Sequence, residues 1–195
     1  EICACLVGSE MCIRDRSPFF IYLCHNMTHN PLAASPAFKG KSQNGLYGDA
    51  TEELDWSMGV LLETLKEEGL DQNTLIIFTS DNGADEHFGG TNRPLRGQKG
   101  TTYEGGFRVP CIMRWPAKIP AGQETDNLVT SMDFLPTLAH YCGYAVPSDR
   151  VIDGHNVSGI LEGESMASPT ETFYYYQKQQ LSLIHISEPT RHAQI

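Results

Sequence analysis

Two apolar runs and one amphipathic stripe dominate the pattern of this chain. Phe19–Leu23 and Leu75–Phe78 are uninterrupted apolar runs, each followed by polar residues, and such runs are typical of strands buried in a parallel sheet. The stripe between them has helical spacing, with apolar positions at Leu54, Met58, Leu61, Leu62 and Leu65. Asp49 or Thr51 is expected to cap its start, and Gly69 stands where a helix-ending glycine belongs. The pattern predicts a strand–helix–strand unit.

The loops that follow the two predicted strands carry the first candidate chemistry. A strand–helix–strand unit in one sheet almost always has parallel strands, and parallel neighbours end at the same edge of the sheet, where open α/β proteins bind ligands. His25 and His29 follow the first run, and Asp81-Asn82-Gly83 follows the second. We therefore expect both loops to open on the same side. On its own, the second stretch is also compatible with a plain polar turn, because Asn-Gly is a common turn pair.

Downstream, irregular and periodic segments alternate. Residues 83–108 are rich in glycine and hold four cations, Arg93, Arg96, Lys99 and Arg108. Fixed cations on a loop at the ligand-binding edge indicate an anionic ligand group, and a solvated surface loop is the alternative. Further strands are predicted at Val109–Trp115 and Phe173–Tyr176. A helix is predicted to start near residues 132–133 and to stop at Gly143.

Composition narrows the classes of function. The chain has 195 residues, of which 40% are hydrophobic, so it can bury a core. Its net charge is −10 and it has no Lys/Arg cluster, which argues against nucleic acid and anionic membranes as partners. No apolar run approaches the roughly 20 residues of a membrane helix. Because no Cys-x-x-Cys pair occurs, Cys24, Cys111 and Cys142 are expected to be small buried apolar residues.

Both ends of the chain lack helical and strand periodicity. Residues 1–16 and 182–195 resemble translated sequencing-adapter sequence, and we expect them to be artefactual or disordered segments outside the fold. Residues 17–181 are expected to form one partial domain of the α/β class. Its sheet is expected to be partial and rich in parallel strands, with helices flanking it.

A series of motifs occurs in a fixed order between residues 18 and 181. The motifs are Pro18–Leu23, Thr28–Leu32, Leu54–Gly59, Thr79–Gly83, Leu95–Gly106, Arg108–Pro110, Met132–Thr137 and Asp153-Gly154. This series resembles the latter half of the catalytic domain of a type I sulfatase, an arylsulfatase of the alkaline-phosphatase superfamily. The resemblance implies an incomplete sulfatase, or alkaline-phosphatase-like, domain. It also implies hydrolysis of a sulfate ester to an alcohol and inorganic sulfate.

The resemblance implies roles for four residues. Asp81 and Asn82 match two ligands of the family's calcium ion. Lys99 matches a lysine that holds a sulfate oxygen, and His29 matches a histidine that contacts sulfate and protonates the departing alcohol. These roles suit the chemistry, because charge develops on the sulfate and leaving oxygens in the transition state. His25 is expected to pack or to support the site rather than to react.

The chain departs from the family pattern at the nucleophile. The family makes a formylglycine from the cysteine of a Cys-x-Pro-x-Arg motif, and no such motif occurs in this sequence. We therefore expect the formylglycine and the remaining metal ligands to lie in a segment upstream of Pro18, and the chain alone to be inactive. By resemblance, the full protein is periplasmic, secreted or lysosomal.

The substrate and two alternative functions stay open. The expected partner is a small-molecule or carbohydrate sulfate ester, and steroid, carbohydrate and aryl sulfates all fit the sequence. One alternative is a phosphohydrolase or phosphotransferase of the same superfamily, which would use a serine or threonine nucleophile. The other is a non-catalytic binding protein on the sulfatase fold.

Overall fold

A computed structural model describes residues 17–164, 167–177 and 180–185 of the protein. The chain divides into two compact units, the first reaching Asp71 and the second starting at Gln72. Residues 1–16 and 186–195, which include most of the predicted artefactual segments, lie outside the described residues. Within the described part, no helix combines the length and the apolar character needed to cross a membrane.

The first unit is organised around helix α1 (Gly45–Glu67), which confirms the helix predicted from the apolar stripe. Neither Asp49 nor Thr51 caps it, because the helix begins four residues before Asp49. The Asp49 side chain is instead buried and accepts three main-chain N–H groups, from Gly40 at 2.7 Å, Lys41 at 3.1 Å and Ser42 at 2.8 Å. These bonds, that from Gly40 first, hold the pKa of the carboxyl below its usual value. Asp49 therefore fastens the preceding loop to the helix.

The predicted strand at Phe19–Leu23 does not form. Phe20 and Tyr22 are 80% and 81% exposed, although the apolar run predicts a buried strand. A strand is stabilised by its ladder of hydrogen bonds and by side chains across it. Among the described residues no strand pairs with this run. Apolar side chains alone are not sufficient to form a strand without a partner.

The second unit contains the predicted strands β1 (Ile76–Thr79) and β2 (Cys111–Arg114). The two strands pair antiparallel, with Ile76 opposite Arg114 and Thr79 opposite Cys111. A second pair, β3 (Thr172–Gln177) and β4 (Gln180–His185), is antiparallel as well. The prediction of a parallel-rich sheet is therefore wrong for the described residues, because β1 takes its partner from the downstream chain and not from the run before α1.

The last strand and the cysteines bear on two further predictions. Strand β4 continues to His185 and pairs with β3 along its whole length, while the domain end expected after residue 181 stays a prediction. Cys24, Cys111 and Cys142 are exposed and not buried. Cys24 lies in an irregular segment, Cys111 starts a strand of a two-stranded sheet, and Cys142 follows a helix, so no second layer of the described chain covers them.

Three short helices complete the second unit: α2 (Glu104–Phe107), α3 (Phe134–Tyr141) and α4 (Ser158–Leu161). Helix α3 follows a 3₁₀ turn at Ser131–Asp133, which agrees with the start predicted near residues 132–133. Asp133 is 1% exposed, and its carboxylate accepts hydrogen bonds from the Thr130 N–H at 2.6 Å and the His155 N–H at 2.7 Å. It thereby joins the start of α3 to the segment that leads into α4.

Replacing Asp133 with alanine should lower the free energy of unfolding by about 3 kcal/mol, because the main-chain donors at Thr130 and His155 lose the buried carboxylate that accepts both bonds. Urea unfolding of the 195-residue chain, followed by circular dichroism, measures the change. The matched control is Asp149→Ala, since Asp149 pairs with its exposed neighbour Arg150 at the surface. Equal unfolding midpoints for the two variants would contradict the role given to Asp133.

Candidate active site

The Asp81-Asn82-Gly83 stretch follows directly after the end of β1. The Ser80 hydroxyl donates to the carbonyl oxygen of Asn82 at 3.0 Å, and the Asn82 amide donates to Oδ2 of Asp81 at 2.6 Å. Asp81 is exposed and Asn82 is half-buried. The end of the strand thus presents a carboxylate and an amide side by side.

Gly83 anchors this stretch to the rest of the second unit. It is buried, and its N–H donates to the carbonyl oxygen of Gly106 at 3.0 Å. A Cβ atom at position 83 would overlap the carbonyl oxygen of Gly105. The backbone of the two segments therefore approaches more closely than any residue with a side chain permits. This close contact distinguishes the stretch from an isolated polar turn.

The glycine-rich segment folds back so that Lys99 comes close to the same strand end. The Ala84 N–H donates to Oδ1 of Asn92 at 2.7 Å, and the Asn92 amide returns a bond to the Ala84 carbonyl at 2.8 Å. The Lys99 N–H donates to the same carbonyl at 3.1 Å. A single main-chain bond therefore ties Lys99 to the residue two positions beyond Asn82.

Two of the arginines in this region have partners within the chain. The guanidinium of Arg96 lies 3.9 Å from the centre of the Tyr103 ring and donates to its hydroxyl at 2.9 Å. Arg108 lies 3.6 Å from the Glu104 carboxylate. Both contacts join an arginine to another residue of the same glycine-rich segment.

The carboxyl group of Asp85, in the same loop, has a lowered pKa. It accepts a hydrogen bond from the His87 N–H at 3.1 Å, and its carboxylate lies 2.8 Å from the His87 ring nitrogen Nδ1. The bond from the His87 side chain makes the largest contribution to lowering the pKa of Asp85, and the positive charge of Lys99 adds to it. Lys99 therefore lies within electrostatic reach of a carboxylate in the same loop.

His29 belongs to the first unit, whereas Asp81, Asn82 and Lys99 belong to the second. The His29 ring is exposed, and its Nδ1 lies 2.8 Å from the carbonyl oxygen of Asn30. This contact favours a ring that carries a hydrogen on Nδ1. His25 differs, because its Nε2 lies 3.3 Å from the Ser57 hydroxyl, which agrees with a supporting role. A main-chain hydrogen bond links Lys99 to Ala84, two positions beyond Asn82, and the roles of Lys99 and of His29 at this site stay predictions.

The donor set at the end of β1 fits part of a calcium site. Calcium takes about six to eight oxygen ligands from carboxylates, amides, carbonyls and water. The bond between Asp81 and Asn82 uses Oδ2 of one and the nitrogen of the other, so Oδ1 of each residue remains to bind a cation. Among the described residues, no group of three or more His, Cys, Asp or Glu side chains is placed to hold a metal. Further ligands would have to come from elsewhere.

Asn92 and Tyr103 also shape this region, although the sequence does not single them out. Asn92 closes the first turn of the loop through Ala84, and Tyr103 supports Arg96. Both contacts join side chains across seven or eight positions of irregular chain, where no periodicity operates. The density of glycines between residues 83 and 106 is the one sequence signal of this tight folding.

A family model and the most similar curated proteins all point to the same family. The Sulfatase family model matches residues 11–144. The chain is 43% identical over 176 residues to the steryl-sulfatase of Homo sapiens, an alignment that covers 86% of this chain and 30% of that protein. It is 40% identical over 179 residues to the N-acetylgalactosamine-6-sulfatase of Canis lupus familiaris, covering 90% of this chain and 34% of that protein. The chain thus spans about a third of the length of these curated relatives.

Solved structures agree with this result. The PsFucS1 sulfatase from Pseudoalteromonas sp. superposes with a TM-score of 0.83 at 31% identity, covering 97% of this chain and 41% of that one. The phosphonate monoester hydrolase of Silicibacter pomeroyi superposes with a TM-score of 0.55 at 26% identity, covering 66% and 24%. The fold is therefore that of an incomplete alkaline-phosphatase-like domain. Because the family model matches more than half of its residues, the chain belongs to the sulfatase family.

Proposed function

We propose that the protein to which this chain belongs hydrolyses a sulfate ester to an alcohol and inorganic sulfate. The observation that carries the proposal is the bond from the Lys99 N–H to the Ala84 carbonyl at 3.1 Å. It links the backbone of Lys99 to the loop that follows β1, two positions beyond Asn82. In this proposal the Lys99 cation lies beside the proposed metal ligands Asp81 and Asn82, an arrangement that suits a dianionic transition state.

Each of the four residues has a defined task in this proposal. Lys99 binds a sulfate oxygen and stabilises the charge that grows on it. His29 contacts the sulfate and delivers a proton to the leaving oxygen, which would otherwise depart as an alkoxide. Asp81 and Asn82 hold part of the coordination shell of calcium, and the bound ion supplies Lewis-acid stabilisation of the sulfate oxygens.

Sulfatases generally use a formylglycine nucleophile and a divalent metal ion. We propose that the formylglycine is supplied by an upstream segment outside residues 17–181, together with the remaining ligands of calcium. The substrate is a small-molecule or carbohydrate sulfate ester. In this proposal Lys99 binds the sulfate, and Asp81 and Asn82 hold calcium, so none of them serves as the nucleophile.

A phosphonate or phosphate ester hydrolase is the second candidate. The similarity to a phosphonate monoester hydrolase at a TM-score of 0.55 favours it, and Lys99 would bind a phosphoryl oxygen in the same way. The relative rates of the full-length protein on 4-nitrophenyl sulfate and phenyl phosphonate esters distinguish the two. The second candidate requires the phosphonate ester to be the faster substrate.

The 195-residue chain alone is expected to show no turnover of 4-nitrophenyl sulfate above the buffer background, with or without calcium, because it has no Cys-x-Pro-x-Arg motif from which a formylglycine could form. The same residues preceded by an upstream segment that contains Cys-x-Pro-x-Arg, with the cysteine converted to formylglycine, should turn the ester over. The release of nitrophenolate measures both reactions.

The outcomes separate the candidate functions. Turnover by the short chain would contradict the placement of the nucleophile upstream. An extended protein that binds sulfate esters without cleaving them would favour a non-catalytic binding protein. In the active protein that includes the upstream segment, chelation of calcium should abolish turnover, and addition of calcium should restore it.

A further inference from the structure

A groove in the second unit lies on the same loop as Lys99 and has no role in the mechanism above. Its volume is about 510 Å³, and it is a shallow groove that is largely open to solvent. Six side chains line it: Glu86, His87, Arg96, Gln98, Thr101 and Tyr103. Lys99 follows Gln98 directly in the chain. The groove is therefore lined by a residue next to the proposed sulfate-binding lysine in the chain.

Four side chains of the groove are held in place by contacts with other groove residues, those of Arg96, Gln98, Thr101 and Tyr103. Gln98 accepts the Glu86 N–H at 3.0 Å, and the Thr101 hydroxyl donates to the Gln98 carbonyl at 2.7 Å. Arg96 is fixed over the Tyr103 ring at 3.9 Å. Ligand binding consequently has to order few side chains, which favours affinity.

The chemistry of the lining matches the hydroxyl groups of a sugar. A hydroxyl both donates and accepts hydrogen bonds, so a sugar needs donors and acceptors in the same site. Arg96 offers five N–H donors, and Tyr103 uses one of them. The exposed Glu86 carboxylate is an acceptor. Arg96 covers one face of the Tyr103 ring, but Tyr103 is still 41% exposed, so its uncovered aromatic surface is available to the apolar face of a sugar ring.

The same lining suits a steroid poorly. A steroid buries an apolar skeleton, and its binding free energy depends on apolar area removed from water. The residues that line the groove include no Leu, Ile, Val, Met or Phe. Placing a steroid there would also desolvate the Arg96 guanidinium and the Glu86 carboxylate without new partners, which is costly.

We propose that this groove binds the sugar ring of a sulfated carbohydrate while Lys99 holds its sulfate, so that the leaving group is a sugar hydroxyl and not a steroid. The inference rests on the proposed function. It adds Glu86, Arg96 and Tyr103 as residues that determine specificity.

The test is a titration of the ¹⁵N-labelled 195-residue chain with galactose 6-sulfate and, separately, with estrone sulfate, followed by amide chemical shifts. Galactose 6-sulfate should shift the resonances of Arg96, Gln98 and Tyr103 and saturate, whereas estrone sulfate should not saturate over the same concentrations. Tyr103→Leu and Glu86→Ala should each raise the apparent Kd for the sugar sulfate about tenfold.

Matched controls are Tyr144→Leu and Glu124→Ala, which change exposed residues outside the groove and should leave the Kd unaltered. Glu86 is also exposed, so Glu86→Ala keeps the test valid if Tyr103→Leu fails to fold. Unchanged affinity in Glu86→Ala, or tighter binding of estrone sulfate at these resonances, would overturn the proposal and leave the proposed function standing. An effect of Glu86→Ala with no effect of Lys99→Ala would support the sugar groove and count against the role of Lys99 in sulfate binding.

Discussion

Replacing His29 with alanine in the full-length protein should slow ester cleavage by an amount that depends on the leaving group. An alkyl sulfate releases a strongly basic alkoxide, so loss of the proton donor should lower kcat/KM by about 10²–10⁴-fold. Nitrophenolate departs without a proton, and 4-nitrophenyl sulfate should lose far less. Values of log(kcat/KM) for a series of sulfate esters, plotted against the pKa of the leaving alcohol, should therefore fall more steeply for His29→Ala than for the wild type.

The control for this result is Lys99→Ala, because Lys99 is proposed to contact the sulfate and not the leaving oxygen. It should lower kcat/KM for every ester by a similar factor, about 10²–10³-fold, and leave the slope of the plot unchanged. Lys66→Ala removes an exposed lysine on α1 that pairs with Glu63, and should change neither quantity. Parallel plots for His29→Ala and the wild type would rule out His29 as the proton donor.

The regular elements of the fold could be predicted from the sequence because each imposes its own local period. The stripe of α1 repeats over three turns, which identifies the helix independently of what packs on it. The β1 run is bounded by polar residues on both sides, and the structure places the strand at Ile76–Thr79. Proline and glycine mark the limits of α3 in the same way, through backbone geometry that acts locally.

The pairing of the strands could not be predicted in this way. An apolar run indicates that a segment tends to be extended, but its partner is selected by long-range packing. The strand–helix–strand pattern predicts Phe19–Leu23 as the neighbour of β1, but the structure pairs β1 with β2, which lies inside the predicted strand Val109–Trp115. The rule for strand–helix–strand units applies only when both strands join one sheet, and Phe19–Leu23 does not form a strand.

In the candidate site, too, some features follow from local sequence and others depend on long-range contacts. The position of Asp81 and Asn82 after an apolar run could be read from the order of residues, since strand ends present their loops at the edge of a sheet. The approach of Lys99 to the same place depends on a hydrogen bond to Ala84 across fifteen positions of irregular chain. Contacts of this kind depend on the backbone path of one loop, which no repeating pattern encodes.

Gly83→Ala should destabilise the second unit by about 2–3 kcal/mol, because the added methyl group overlaps the Gly105 carbonyl and forces apart two segments of backbone. The displacement should also break the bond from the Gly83 N–H to the Gly106 carbonyl. Since Asp81 and Asn82 immediately precede Gly83, the same change should weaken calcium binding by the full-length protein. Urea unfolding measures the first effect, and calorimetric titration with calcium measures the second.

Replacing Gly59 with alanine should increase stability, whereas Gly83→Ala should decrease it. Gly59 is exposed in the interior of α1, and a Cβ atom there meets nothing within 4 Å. Alanine should therefore stabilise the helix by about 0.5–1 kcal/mol, because it reduces the entropy lost on folding. At Gly83 the added methyl group meets the Gly105 carbonyl, whereas at Gly59 it meets nothing, so the contrast separates the effect of close packing from the effect of alanine on a helix. If Gly83→Ala leaves both stability and calcium affinity unchanged, the contact with Gly105 does not position Asp81 and Asn82.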